Sequence, residues 1–181
     1  MKLSIILINA LIILINALVF LTISAGSAAA NDDDHTSSTS EHKSQIPYHP
    51  DKRHHLSILT AGTNVPSEDY TAFTVGIDYE YRINRRLGVG FVAEQAFGKI
   101  DATSLLAVAD IHLWRGLTLQ IGPGVEFVDK GEKNETFALA RIGALYELEL
   151  GEGYTISPQF HYDISSGADA IVFGVAFGRA F

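Results

Sequence analysis

The chain contains no cysteine. That excludes a disulfide framework, a thiolate metal site and a lipoprotein attachment point. It also lacks a surplus of positive charge: 13 Lys and Arg stand against 21 Asp and Glu, a formal net charge of −8. With no basic stripe along the sequence to meet phosphates, nucleic acid is excluded as an expected partner. Long apolar runs are absent too, with one exception at the N-terminus.

That exception is a separate object. Lys2 supplies a minimal positive start, an apolar run from Leu3 to Ile23 follows, interrupted by Asn9 and Asn16, and "SAGSAAA" places Ala28 and Ala30 in an A-x-A arrangement before Asn31. This is the layout of a secretory signal peptide, with cleavage expected after Ala30. A run of about 20 apolar residues is also long enough for an anchor helix. In both cases the remainder leaves the cytoplasm. Residues 31–52, "NDDDHTSSTSEHKSQIPYHPDK", carry too little apolar surface to offset ordering entropy and are expected to be a disordered polar linker. His35, His42, His49, His54 and His55 raise the possibility of weak metal capture, but no fixed ligand spacing accompanies them. No metal site and no cofactor are expected.

From residue 53 to 181 the apolar period becomes two. "YTAFTVGIDYEYRI" sets Phe73, Val75, Ile77, Tyr79, Tyr81 and Ile83 against Ala72, Thr74, Gly76, Asp78, Glu80 and Arg82. Ordinary strands run about 5–6 residues, whereas a tilted membrane crossing needs about 9–11. The alternation recurs in "LGVGFVAEQAF", "LLAVADIHLW", "LTLQIGPGVEFV", "FALARIGALYELEL", "YTISPQFHYDI" and the closing "AIVFGVAFGRAF". With "HHLSILTAG" in front, these make eight candidate strands. Connections expected at Thr63–Asp69, Gly98–Thr103, Lys130–Glu135 and Ser165–Asp169 are longer than those at Asn84–Arg86, Arg115–Gly116 and Gly151–Gly153. Long and short connections in alternation suggest an up-and-down meander with two different rims.

Periodicity does not say which face is wet. The glycines do: Gly76, Gly88, Gly90, Gly122, Gly124, Gly143, Gly174 and Gly178 share the face of the charges, as a crowded polar lumen requires. A solvated strand face would carry Thr, Lys and Ser instead. On the apolar face Tyr81, Phe91, Phe127, Tyr146, Tyr154, Phe160, Tyr162, Phe177 and Phe181 are candidates for interfacial girdles, while the parity of Trp114 places it on the polar side. The expected fold is therefore all-β: an eight-stranded antiparallel up-and-down transmembrane β-barrel behind a signal peptide and a polar segment.

Signal peptide, eight amphipathic segments and a terminal Phe181 resemble the small bacterial outer-membrane β-barrels, the porin-like and OmpA- or OmpX-type proteins. The resemblance covers 53–181 as architecture, without a long diagnostic motif. It implies a location in the cell outer membrane, outer-membrane lipid as surroundings, and the barrel-assembly machinery as a partner during insertion. That machinery would read a last strand marked by Phe177 and Phe181. The outward Arg179 departs from an all-apolar strand, but near a rim it can snorkel.

Strand direction sorts the inward charges by depth. Glu94, Glu126, His161 and Asp163 are expected toward the external half, and Asp78, Glu80, Arg82, Asp110, His112 and Glu147 toward the periplasmic half, with Arg141 between. Charges in a narrow lumen must be paired or neutralised. A salt-bridged, largely plugged interior follows, and with it a structural or adhesive protein with at most slight passive pore activity. One alternative is a lipid A-modifying enzyme using His161, Asp163 and Ser165 at the external rim. A second is a soluble periplasmic barrel with an apolar ligand inside. The Asn-x-Thr at Asn134 reads as loop sequence in a bacterial barrel. Oligomeric state is not legible.

Overall fold

A computed structural model describes residues 51–98, 101–129 and 134–181. The expected signal peptide and all of the polar linker except Asp51 and Lys52 lie outside the described residues. Within them the strands are β1 His54–Val65, β2 Tyr70–Arg82, β3 Leu87–Phe97, β4 Asp101–Trp114, β5 Leu117–Asp129, β6 Asn134–Tyr146, β7 Leu148–Gly151, β8 Tyr154–Ser165 and β9 Ala170–Ala180. Each pairs antiparallel with its neighbour in sequence, except β6 with β7. Both β6 and the short β7 pair with β8, so they form one wall interrupted at Glu147, whose amide bonds Gly116 O at 2.8 Å. The barrel thus has eight walls, as the eight apolar segments predict.

Closure is made between β1 and β9, in register from His55↔Ala180 to Asn64↔Ile171. His54 and Phe181 complete it by exchanging both backbone hydrogen bonds, at 3.1 and 2.8 Å. No sheet edge remains on this wall, which removes the pairing hazard of an open strand.

The register fixes the geometry of the bore. A path along the rungs runs Arg82, Gly88, Asp110, Gln120, Gly143, His161, Val172, Thr63 and returns to β2 at Ala72, ten residues from its start. Eight strands with a shear of ten, at about 3.3 Å per residue and about 4.8 Å between strands, tilt by about 40°. At that tilt a twelve-residue strand rises about 30 Å, enough for an apolar belt of about 25 Å.

His54 and Phe181 share one end of the barrel, here the terminal end, with connections 83–86, 115–116 and 152–153. The far end carries 66–69, 98–100, 130–133 and 166–169. The contrast in connection length expected from sequence nearly disappears, because β1, β4 and β6 extend through Val65, Asp101 and Asn134 into residues whose polarity suggested loop.

The polarity of the barrel is inverted relative to a soluble one. Ile58 is 62% exposed, Phe73 55% and Ile142 50%, whereas Glu80, Glu94, Asp110 and Arg141 are buried inside. Aromatic side chains gather near both ends: Tyr79, Tyr81, Trp114, Tyr154, Phe177 and Phe181 at the terminal end, Phe73, Phe97, Phe127 and Tyr162 at the far end. Phe91 and Phe160, expected in the girdles, lie mid-strand instead. Trp114 also departs from expectation. A register irregularity between His112 and Trp114 turns its ring outward, where it is 53% exposed.

Candidate functional site: the charged lumen

Alternation sends one side chain in two inward, and the tilt brings residues from distant strands to one level. All eleven charged or histidine residues expected in the lumen point into it, Asp78 and Glu126 partly buried and the rest buried. They form two clusters rather than one continuous network.

Toward the far end, Arg141 on β6 is 3% exposed and clamps two carboxylates from opposite sides. Its Nη1 and Nη2 donate to Glu94 Oε1 and Oε2 at 2.6 and 2.7 Å, while Nε and Nη2 donate to Asp163 Oδ1 and Oδ2 at 2.7 Å each. Two bidentate pairs on one guanidinium engage four of its five N–H groups. Above them Ser165 Oγ donates to Glu126 Oε2 at 3.2 Å.

Toward the terminal end, Arg82 donates from Nη2 to Glu147 Oε2 at 2.6 Å and from Nε to Glu80 Oε2 at 3.2 Å. Glu80 Oε1 meets His112 Nε2 at 2.6 Å, and His112 Nδ1 meets Thr118 Oγ1 at 2.9 Å. Gln120 Nε2 donates to Asp110 Oδ1 at 3.0 Å and to Asp78 Oδ2 at 3.1 Å, so one amide separates two acids. His55 reaches Thr155 Oγ1 at 2.8 Å. Glycine opposite these groups makes the room: a Cβ at Gly88 would overlap Glu80 Oε1, and one at Gly143 would overlap His161 Nδ1.

Between the clusters lies an apolar collar whose packing alternation did not reveal. Val92, Leu106, Val108 and Leu139 pack together on one side of the bore, and Leu59, Ala61, Val172 and Ala176 on the other. By register Leu59, Ala61, Val92, Leu106 and Val108 fall near mid-height, beside the fully buried His161, whereas Leu139 lies level with Ser165 on the far side of the Arg141 clamp. A small cavity lies on each side of the collar. The first lies among Ser57, Asp78, Asp110, Glu147 and Ser157, the second among Thr63, Thr74, Ser104, Glu126 and Asp163.

The three residues considered for catalysis are near one another but separately engaged. His161 Nε2 bonds Gln159 Oε1 at 3.0 Å, Asp163 serves Arg141, and Ser165 Oγ serves Glu126 and accepts from Gly167 N at 3.1 Å. Among the described residues His161 makes no hydrogen bond to a serine, and its Nδ1 has no hydrogen-bond partner. His54 and His55 take opposite faces of β1: His54 stacks on Phe181 outside, at 5.6 Å between ring centroids, and His55 lies inside. The other three histidines of that segment lie outside the described residues. No group of three or more His, Cys, Asp or Glu side chains suited to a metal ion occurs among the described residues.

Comparison with solved structures bears on the barrel. The Ail attachment invasion locus protein of Yersinia pestis, in complex with the heparin analogue sucrose octasulfate, matches with a TM-score of 0.52 at 17% identity, over 71% of this chain and 97% of that one. The N-terminal β-barrel domain of Pseudomonas aeruginosa OprF matches at 0.50 and 13%, over 68% of this chain and 96% of that one. The chain has the fold of the small eight-stranded outer-membrane β-barrels. Ail in a phospholipid bilayer nanodisc matches likewise, at 0.51 and 14% identity, over 72% and 99%. No protein-family model matches the sequence, and no curated protein does. At these identities the agreement concerns architecture alone, the closed antiparallel eight-stranded barrel.

Proposed function

We propose that the protein is an integral outer-membrane barrel with a structural role in the envelope, its lumen closed to solutes apart from slight leakage. The observation that carries this reading is the inverted polarity: large apolar side chains outside, ion pairs inside. A soluble ligand-binding barrel needs the reverse arrangement, so the second alternative loses its support. The segment 1–30 would deliver the chain across the inner membrane, and the terminal end would face the periplasm. Phe177 and Phe181 would then stand where the assembly machinery meets the last strand. Closure of the lumen is supported by the Arg141 clamp above the collar of Val92, Leu106 and Val108, because an ion crossing there would shed its water against apolar side chains.

An adhesive role draws less support from the far end. Glu68, Asp69, Asp101, Asp129, Glu135 and Asp169 stand there, with no Lys or Arg among its described residues. Such a rim repels polyanions of the kind named for the Ail complex. A lipid-modifying activity would require His161 to leave its buried position.

Membrane fractionation followed by detergent extraction tests the location: the protein is expected in the detergent-soluble membrane fraction, migrating differently on a gel before and after boiling. Recovery in the soluble periplasmic fraction would overturn the membrane reading. Planar-bilayer recording tests closure. Wild type should show rare, small openings and Arg141→Ala more frequent ones, while steady large conductance in the wild type would refute the closed lumen.

A further inference from the structure

The two rims carry opposite charge. At the terminal end stand Lys52, Arg53, Arg85, Arg86, Arg115 and Arg179, against Asp51, Glu149 and Glu152. At the far end the acids dominate, and they still do when Lys99, Lys130, Glu132 and Lys133 of the two connections are counted. Charge segregation alone would be a surface property. Two of the arginines, however, are placed by aromatic rings.

The Arg115 guanidinium lies over the Trp114 ring at 4.8 Å, and that of Arg179 over the Tyr154 ring at 4.9 Å. Both rings belong to the terminal girdle, at the depth where a barrel meets lipid headgroups. A guanidinium stacked on a ring keeps its N–H groups in the plane, directed away from the ring edge, and that fork suits a phosphate. The irregularity in β4 is what turns Trp114 outward, and Arg115 follows with φ of 44° in the left-handed region. The two pairs sit on different walls, one at the β4–β5 turn and one on β8 and β9.

We infer that these two arginine–aromatic pairs bind the phosphate headgroups of anionic phospholipids in the leaflet facing the terminal end. The inference rests on the membrane reading above. A basic side chain near an anionic surface is worth enough to enrich such lipid about fivefold at its position.

Trp114 is the chain's single tryptophan, so its fluorescence reports on one of the two pairs without labelling. The full chain is folded into bilayers of phosphatidylcholine and phosphatidylglycerol in equal amounts, with brominated acyl chains on one lipid or on the other. Stronger quenching by brominated phosphatidylglycerol, equivalent to about fivefold preferential association, is expected. The preference should fall toward one in 0.5 M NaCl, and also in Arg115→Asn, whose side chain tolerates the left-handed backbone. Arg179→Gln, on the other wall, should leave the preference at Trp114 unchanged. Equal quenching by the two lipids in the wild type, or a preference unaffected by salt, overturns the inference and leaves the membrane reading standing. An equal loss in Arg179→Gln and Arg115→Asn would mean a diffuse charge effect and also overturns it. Quenching by neither lipid overturns the membrane reading itself. If Arg115→Asn does not fold, the salt series on the wild type decides.

Discussion

Replacing Arg141 by methionine removes one charge and four hydrogen bonds from the upper lumen. Charge-assisted hydrogen bonds contribute about 1.5–3 kcal/mol each, but their sum overstates the loss because the four bonds share one group. What dominates is the remainder: Glu94 and Asp163 are left buried, facing each other without a cation. Removing one partner of such an arrangement costs about 3–5 kcal/mol. The reasoning makes a second, opposite claim. If uncompensated charge is the cause, removing the charges together should restore stability, and Arg141→Met with Glu94→Gln and Asp163→Asn should lie within about 1 kcal/mol of wild type. Urea titration of the barrel refolded in liposomes, followed by Trp114 emission and the heat-modifiable gel band, gives both values by linear extrapolation. A single mutant that costs under about 1 kcal/mol would show that the clamp is solvated. A triple mutant as unstable as the single one would show that geometry rather than charge matters.

Three further outcomes are expected. Ile77→Arg, on the outer face of β2 where the side chain is 49% exposed, should cost about 2–4 kcal/mol in liposomes, whereas a surface change on a soluble barrel stays within about 0.5 kcal/mol. Gly143→Ala must push His161 off the β6 backbone and should cost about 1–3 kcal/mol by the same titration; a neutral result would mean that His161 moves freely. Phe181→Ala keeps the backbone bonds to His54 but loses the ring stack, so refolded stability should fall by about 0.5–1.5 kcal/mol. In cells, the amount of heat-modifiable barrel should fall more steeply if Phe181 also guides assembly.

The strands were legible because one phase of each alternation is apolar and the other is not. β3 begins and ends where the pattern does, at Leu87 and Phe97. Parity within "LLAVAD" puts Leu106 and Val108 on the face of Asp110, but not in contact with Val92 and Leu139 on other strands, and the collar went unread. Strand ends at Asp101 and Asn134 were missed because ladder hydrogen bonds hold polar residues there that propensity assigns to loops. The interior charges could be named from parity. Their pairing could not, since Arg141 meets Glu94 and Asp163 only through a register spanning β3, β6 and β8. The basic rim was hidden for a similar reason: its residues are scattered along the chain and gather only when the turns do.

The bond between first strand and last has a consequence for order in time. During synthesis β1 emerges early, and its outer edge has no partner until the eleven residues of β9 exist. A sheet inserted before then would turn Glu80, Glu94, Asp110 and Arg141 toward hydrocarbon instead of toward one another. A half-built wall is therefore no resting place. The chain must be kept from the bilayer, or sheltered within it, until every strand can arrive together.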